Sequence, residues 1–168
     1  ALLGYSTVSK EYSAGASGDV PLSDRFVAHV DGSYRKSKDL RIGGYLLSPE
    51  LRAEALDVAA DETALGNVVE AANARDWADF RGRLPNSGVE TWSFGAGGAF
   101  IDEGGSLGVS FNIYDTVYGI PERPEFTEPV GGEVGIDLRQ YRFDLRGEVE
   151  LGEGFLDKAR IRAGYANY

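Results

Sequence analysis

The ten residues Tyr141-Arg142-Phe143-Asp144-Leu145-Arg146-Gly147-Glu148-Val149-Glu150 decide the fold class. Tyr141, Phe143, Leu145, Gly147 and Val149 alternate with Arg142, Asp144, Arg146, Glu148 and Glu150. Strict two-residue alternation is the signature of a strand with one apolar and one wet face. So dense a row of charges cannot line the inside of a small barrel or a sandwich core. The polar side must meet water or a polar partner, and the other side suits hydrocarbon. The next run repeats the pattern, with Ala159, Ile161, Ala163 and Tyr165 against Lys158, Arg160, Arg162 and Gly164.

The same period extends upstream. Tyr12, Ala14, Ala16, Gly18 and Val20 alternate with Glu11, Ser13, Gly15, Ser17 and Asp19. Phe26, Ala28, Val30, Gly32 and Tyr34 alternate with Val27, His29, Asp31, Ser33 and Arg35. Trp92, Phe94, Ala96, Gly98 and Phe100 form a further apolar row, and so do Leu107, Val109, Phe111 and Ile113. With a weaker run from Leu2 to Thr7, the pattern predicts about seven strands, each longer than the usual five or six residues.

The connections are expected to sort by length. Short turns are predicted at Pro21–Asp24, Asp102–Gly105 and Leu151–Asp157, all rich in Gly, Asp, Ser or Pro. Long polar segments lie between them, Ser37–Ser87 and Gly119–Val134. Short turns on one rim and long loops on the other are how outer-membrane barrels are built. Ser37–Ser87 is too long to be structureless. Ser48-Pro49-Glu50 supplies an N-cap with proline at the first helical position, which predicts a helix through Leu51, Ala55, Leu56 and Ala59. A second helix is predicted from about Glu62 to Phe80.

Composition agrees with an all-β membrane strand pattern. The 168 residues include 23 Gly, 9 Tyr, 8 Phe and 2 Trp, with no Cys and no Met. No apolar run is long enough for a membrane helix, but membrane strands need only about 9–11 alternating residues. A net charge of −10 argues against nucleic acid as a partner. Without cysteine there is neither disulfide nor thiolate metal site. Ala1 is not a start methionine and the final run stops within a strand pattern, so the chain is expected to be a piece of a longer protein.

Several local sequences resemble TonB-dependent receptors of the outer membrane. Asp19-Val20-Pro21-Leu22-Ser23-Asp24-Arg25-Phe26 and His29-Val30-Asp31-Gly32-Ser33-Tyr34-Arg35 look like the second and third barrel strands of that family. Leu84-Pro85-Asn86-Ser87 leading into Glu90-Thr91-Trp92-Ser93-Phe94-Gly95 is similar to its fourth strand. Tyr118-Gly119-Ile120-Pro121 and the run from Ile136 to Gly147 resemble the loop and strand that follow. The order and spacing of these motifs cover nearly the whole chain, and the likeness is to the branch that includes zinc-uptake receptors.

The resemblance implies that residues 1–168 form the N-terminal part of an up-and-down barrel of about 22 strands, with a partly helical extracellular loop. It implies a protein of the cell outer membrane that binds a scarce ligand, whether metal, metal chelate or another small nutrient, and imports it with TonB-supplied energy. Partners would be outer-membrane lipid, the protein's own plug domain, the TonB complex and that ligand. A passive porin-like channel and a soluble β-rich binding module are the alternatives.

No enzymatic role is expected. The sequence holds no Ser-His-Asp order, no phosphate-cradling glycine loop and no metal-spaced cluster, so no cofactor and no metal site is assigned. Glu148 and Glu150 share a face with arginines and read as a charge ladder. Ligand-binding candidates are Glu122, Arg123, Glu125 and Glu128, in a loop of formal charge −3 without histidine. His29, the one histidine, lies mid-strand on the polar face, where a hydrogen-bonding role is expected.

Overall fold

The structure is a computed structural model that describes residues 1–121, 123–131, 134–152 and 155–168. The elements in chain order are β1 (Leu2–Ser6), β2 (Glu11–Ser23), β3 (Phe26–Ser37), β4 (Arg41–Tyr45), α1 (Pro49–Leu65), α2 (Val68–Asp79), β5 (Arg81–Arg83), β6 (Val89–Asp102), β7 (Gly105–Gly119), β8 (Gly135–Glu150) and β9 (Lys158–Asn167). Seven strands pair antiparallel in the order β1-β2-β3-β6-β7-β8-β9, and β4 pairs with β5 alone. Every neighbour in the large sheet is a neighbour in sequence once the insertion β4–β5 is set aside. The sheet is therefore a meander, as the repeated alternation predicts.

Register keeps the two faces in phase across all six ladders, save for a shift at the last pair of the second, where Ser23 opposes Phe26. Along one line the pairs run Ala16↔Gly32, Gly32↔Phe94, Phe94↔Ile113, Ile113↔Tyr141 and Tyr141↔Asn167. Phe111 opposes Phe143 with ring centroids 4.8 Å apart, and Phe143 opposes Tyr165. Directly opposed residues share a face, so Phe94, Phe111, Phe143 and Ile161 lie on one side. Asp31, Arg142, Arg146 and Arg162 lie on the other. Among the described residues no second layer covers either face of the sheet. Phe94, Phe143 and Ile161 are 44%, 51% and 55% exposed. The buried apolar residues, Leu47, Ala55, Ala59, Ala71, Ala74, Trp77 and Ala78, all belong to the β4–β5 insertion.

Turn lengths follow the expected sorting with two corrections. The turn expected at Pro21–Asp24 is only Asp24-Arg25, because Pro21 and Leu22 continue β2 up to a register shift between Pro21 and Ser23. Pro21 opposes Val27 of β3 immediately before that shift, at the irregular end of the ladder, where a residue without an N–H is tolerated. The second correction is the connection Thr7–Lys10, which is short yet lies on the long-loop side. It serves as a footing for the insertion: Lys38 N–H donates to the Ser9 carbonyl at 2.8 Å and Arg41 N–H to that of Val8 at 3.0 Å.

Within Ser37–Ser87 the first helix starts where Ser48-Pro49-Glu50 predicts. The Ser48 hydroxyl accepts from Leu51 N–H at 3.3 Å. The Glu50 carboxylate, held by its own backbone N–H and by the Ser48 hydroxyl, ionises below its ordinary range. The helix runs further than Ala59, to Leu65, and stops at Gly66, whose φ of 82° suits the residue without a Cβ. The second helix accordingly starts at Val68 instead of Glu62. The small two-stranded sheet β4–β5 carries no alternation of its own, so the sequence pattern gives no sign of it.

Glycines in the large sheet are not interchangeable. A Cβ at Gly97 would come within 2.8 Å of the Val109 carbonyl and 3.1 Å of the Ser110 Cβ, whereas one at Gly18 would meet open space. A backbone carbonyl can yield only by shifting the β6–β7 ladder. Gly97→Ala should therefore destabilise the fold by about 1–3 kcal/mol, and Gly18→Ala should stay within about 0.5 kcal/mol of the parent. Equilibrium unfolding in denaturant measures both, and equal midpoints for the two variants would contradict the register.

Candidate functional site

Two regions place functional groups together: the long loops at one end of the sheet, and the polar face. The loops form one body. Alanines at the α1–α2 contact let the helices approach closely, and Arg75 donates to the Thr63 hydroxyl at 2.7 Å across the hairpin. Arg52 donates to the Ala78 carbonyl at 2.6 Å and to the Asp79 carboxylate at 3.0 Å. The guanidinium carbons of Arg52 and Arg81 lie 3.4 and 3.7 Å from the Tyr45 ring centroid, each a cation–π contact.

The second loop docks on this helical lobe. Phe126 and Val130 pack on the cluster of Leu47, Ala55, Trp77 and Ala78. The Trp77 indole N–H donates to the Glu128 carbonyl at 2.8 Å, and Asn73 to that of Thr127 at 2.8 Å. At its root the Asn86 amide donates to the carbonyls of Ile120 at 2.9 Å and Val134 at 2.5 Å, pinning both ends of the loop.

Of the four loop candidates, Glu122 lies outside the described residues. Arg123, Glu125 and Glu128 are exposed and do not converge. Glu128 acts through its backbone: its carbonyl receives Trp77, and its N–H closes a turn on the Glu125 carbonyl at 2.9 Å. Among the described residues no group of three or more His, Asp or Glu is placed to hold a metal ion.

The polar face carries the denser chemistry. His29 stands between two carboxylates, Nδ1 at 2.8 Å from Asp19 and Nε2 at 3.2 Å from Asp31. Arg142 binds Asp144 through two hydrogen bonds of 2.7 and 2.9 Å. Glu148 accepts from Lys158 and Arg160, each at 2.6 Å, so the charge ladder read from the alternation pairs both within β8, at Arg142–Asp144, and across to β9, at Glu148. Between these groups lies an open depression of about 440 Å³. Gly97, Ala99, Gly108 and Ser110 contribute to its lining, with Asp19 and His29 from β2–β3 and Asp144 and Arg146 from β8. The strand pattern identified these side chains, but not the depression, which needs residues from five strands in register.

On the apolar face a polar belt marks the long-loop end. Tyr34 donates to Glu90 at 2.6 Å, Lys36 pairs with Glu90 at 2.6 Å, and Arg139 pairs with the buried carboxylate of Asp115 at 2.6 Å. Tyr12 and Tyr34 rings pack beside them, 5.9 Å apart.

Neither the family models nor the curated proteins compared with the chain give a match. The coupling of the two loops has a direct test. Trp77→Phe keeps the packing and removes the donor to Glu128, which should weaken the docking by about 1–2 kcal/mol. A glutamate-specific protease should then cleave after Glu125 about five- to thirtyfold faster; an unchanged rate would mean the loop is held by other contacts.

Proposed function

We propose that this chain is part of the barrel of a TonB-dependent receptor of the outer membrane, whose long loops and polar face meet a scarce small ligand that the protein imports. The observation that carries the membrane part is the uncovered apolar face. A soluble monomer rarely exposes a contiguous apolar patch above a few hundred Å², and here aromatic and aliphatic side chains continue across all seven strands.

The height of that face supports the same reading. Tyr34 to Phe26, Trp92 to Phe100 and Tyr141 to Val149 are each eight residue steps apart. At ~3.4 Å per residue this is about 27 Å along a strand, or roughly 20 Å along the normal of a barrel tilted by about 40°. An outward apolar band is about 25 Å tall and bordered by aromatic girdles. The Tyr12–Tyr34–Lys36–Glu90 belt would then lie at headgroup level, where amphipathic rings and charges are favoured. Energised import, the plug and the TonB complex rest on the likeness of the strand and loop motifs to that receptor family.

Adjacent residues of β8 provide the test. Phe143→Arg would put a charge against lipid, costing about 2–4 kcal/mol near the midplane, and should deplete the folded, heat-modifiable form of the full-length protein in outer-membrane fractions. Arg142→Ala should be much milder, because its surroundings are polar in either case. Equal damage from both would contradict the facing assignment, and no effect from either would place the strand outside the membrane. Ligand uptake that survives collapse of the inner-membrane proton gradient would favour a passive channel over the receptor.

A further inference from the structure

The charges of β8 and β9 do not all find partners. Asp144 is taken by Arg142, and Glu148 by Lys158 and Arg160. Asp137, Arg146, Glu150 and Arg162 remain: among the described residues none of them has an ion-pair or side-chain hydrogen-bond partner, and the two cations among them are Arg146 and Arg162. The register sets these two directly opposite each other on the polar face, where β-carbons lie about 4.5–5.5 Å apart and like charges destabilise the sheet. On its other side Arg146 opposes Gly108, which leaves the space beside it open. That space is the depression of about 440 Å³, and Arg146 lines it.

We propose that Arg146 and Arg162 form a two-guanidinium seat for an oxyanion, a carboxylate or phosphate group lodged between them on the polar face, beside the depression that Arg146 borders. Guanidinium forks match the planar oxygens of such groups with paired charge-assisted hydrogen bonds. An anion between them converts the repulsion of an opposed arginine pair into attraction. The seat depends on the β8–β9 register and not on the membrane reading, so it can be tested wherever the protein fractionates. The anion is either a free solute or a carboxylate of the protein itself.

The test is the thermal midpoint of the purified full-length protein with and without citrate or pyrophosphate. If a free oxyanion fills the seat, both probes raise the midpoint of the parent and neither raises that of Arg146→Gln or Arg162→Gln. Arg162→Lys keeps the charge but loses the fork, and should bind citrate about tenfold more weakly. If a carboxylate of the protein fills the seat, the probes have no effect, yet both Gln variants melt lower than the parent while Arg35→Gln, which breaks only the pair with Glu11, costs less. The proposal is overturned if citrate stabilises the parent and the Gln variants equally. It is also overturned if the probes do nothing and the Gln variants melt at or above the parent, since relief of repulsion would then be the whole effect.

Discussion

Everything in this protein depends on the phase relation between neighbouring strands. A strand's side chains alternate with a period of two, so a slip of one residue in any ladder would move a whole apolar row onto the polar face. Six consecutive ladders keep the phase, from Tyr5 opposite Tyr12 in the first to Phe143 opposite Tyr165 in the last. Side chains help to hold it. Cross-strand pairs such as Phe111 with Phe143, Thr91 with Thr116 and Glu148 with Arg160 fit only the observed register.

That phase creates two surfaces with opposite needs. The apolar face, uncovered among the described residues, can gain stability only through dispersion contacts and removal from water. The proposed lipid environment would supply both. The polar face satisfies its charges within the sheet almost everywhere, through His29 with Asp19 and Asp31, Arg142 with Asp144, and Glu148 with two cations. Among the described residues Arg146 and Arg162 are the cations of β8 and β9 left without a partner, and the glycine at position 108 keeps room beside Arg146.

The loop end obeys a different physics. Its buried core is built from alanines, one leucine and Trp77, and it is closed by a segment far along the chain, Phe126 to Val130. Residues of one loop therefore cannot be assigned a role without the other. Glu128 shows this well: its side chain suggests a ligand contact, whereas its backbone carbonyl is what the helical lobe grips.

The amino-acid sequence alone determined the seven strands of the large sheet, their two faces, the places of the two long loops and the start of the first helix. These are local properties, set by period-two alternation and by capping residues such as Ser48 and Pro49. Tertiary structure decided the rest, because it depends on contacts between distant segments. Pro21 and Leu22 extend a strand since the ladder with β3 continues to the register shift before Ser23; Thr7–Lys10 becomes a footing since Lys38 and Arg41 reach its carbonyls; the two long loops become one body through Trp77 and Asn86. The opposition of Arg146 and Arg162 belongs to the same class, for no alternation within either strand fixes which residue of β9 lies across from which residue of β8.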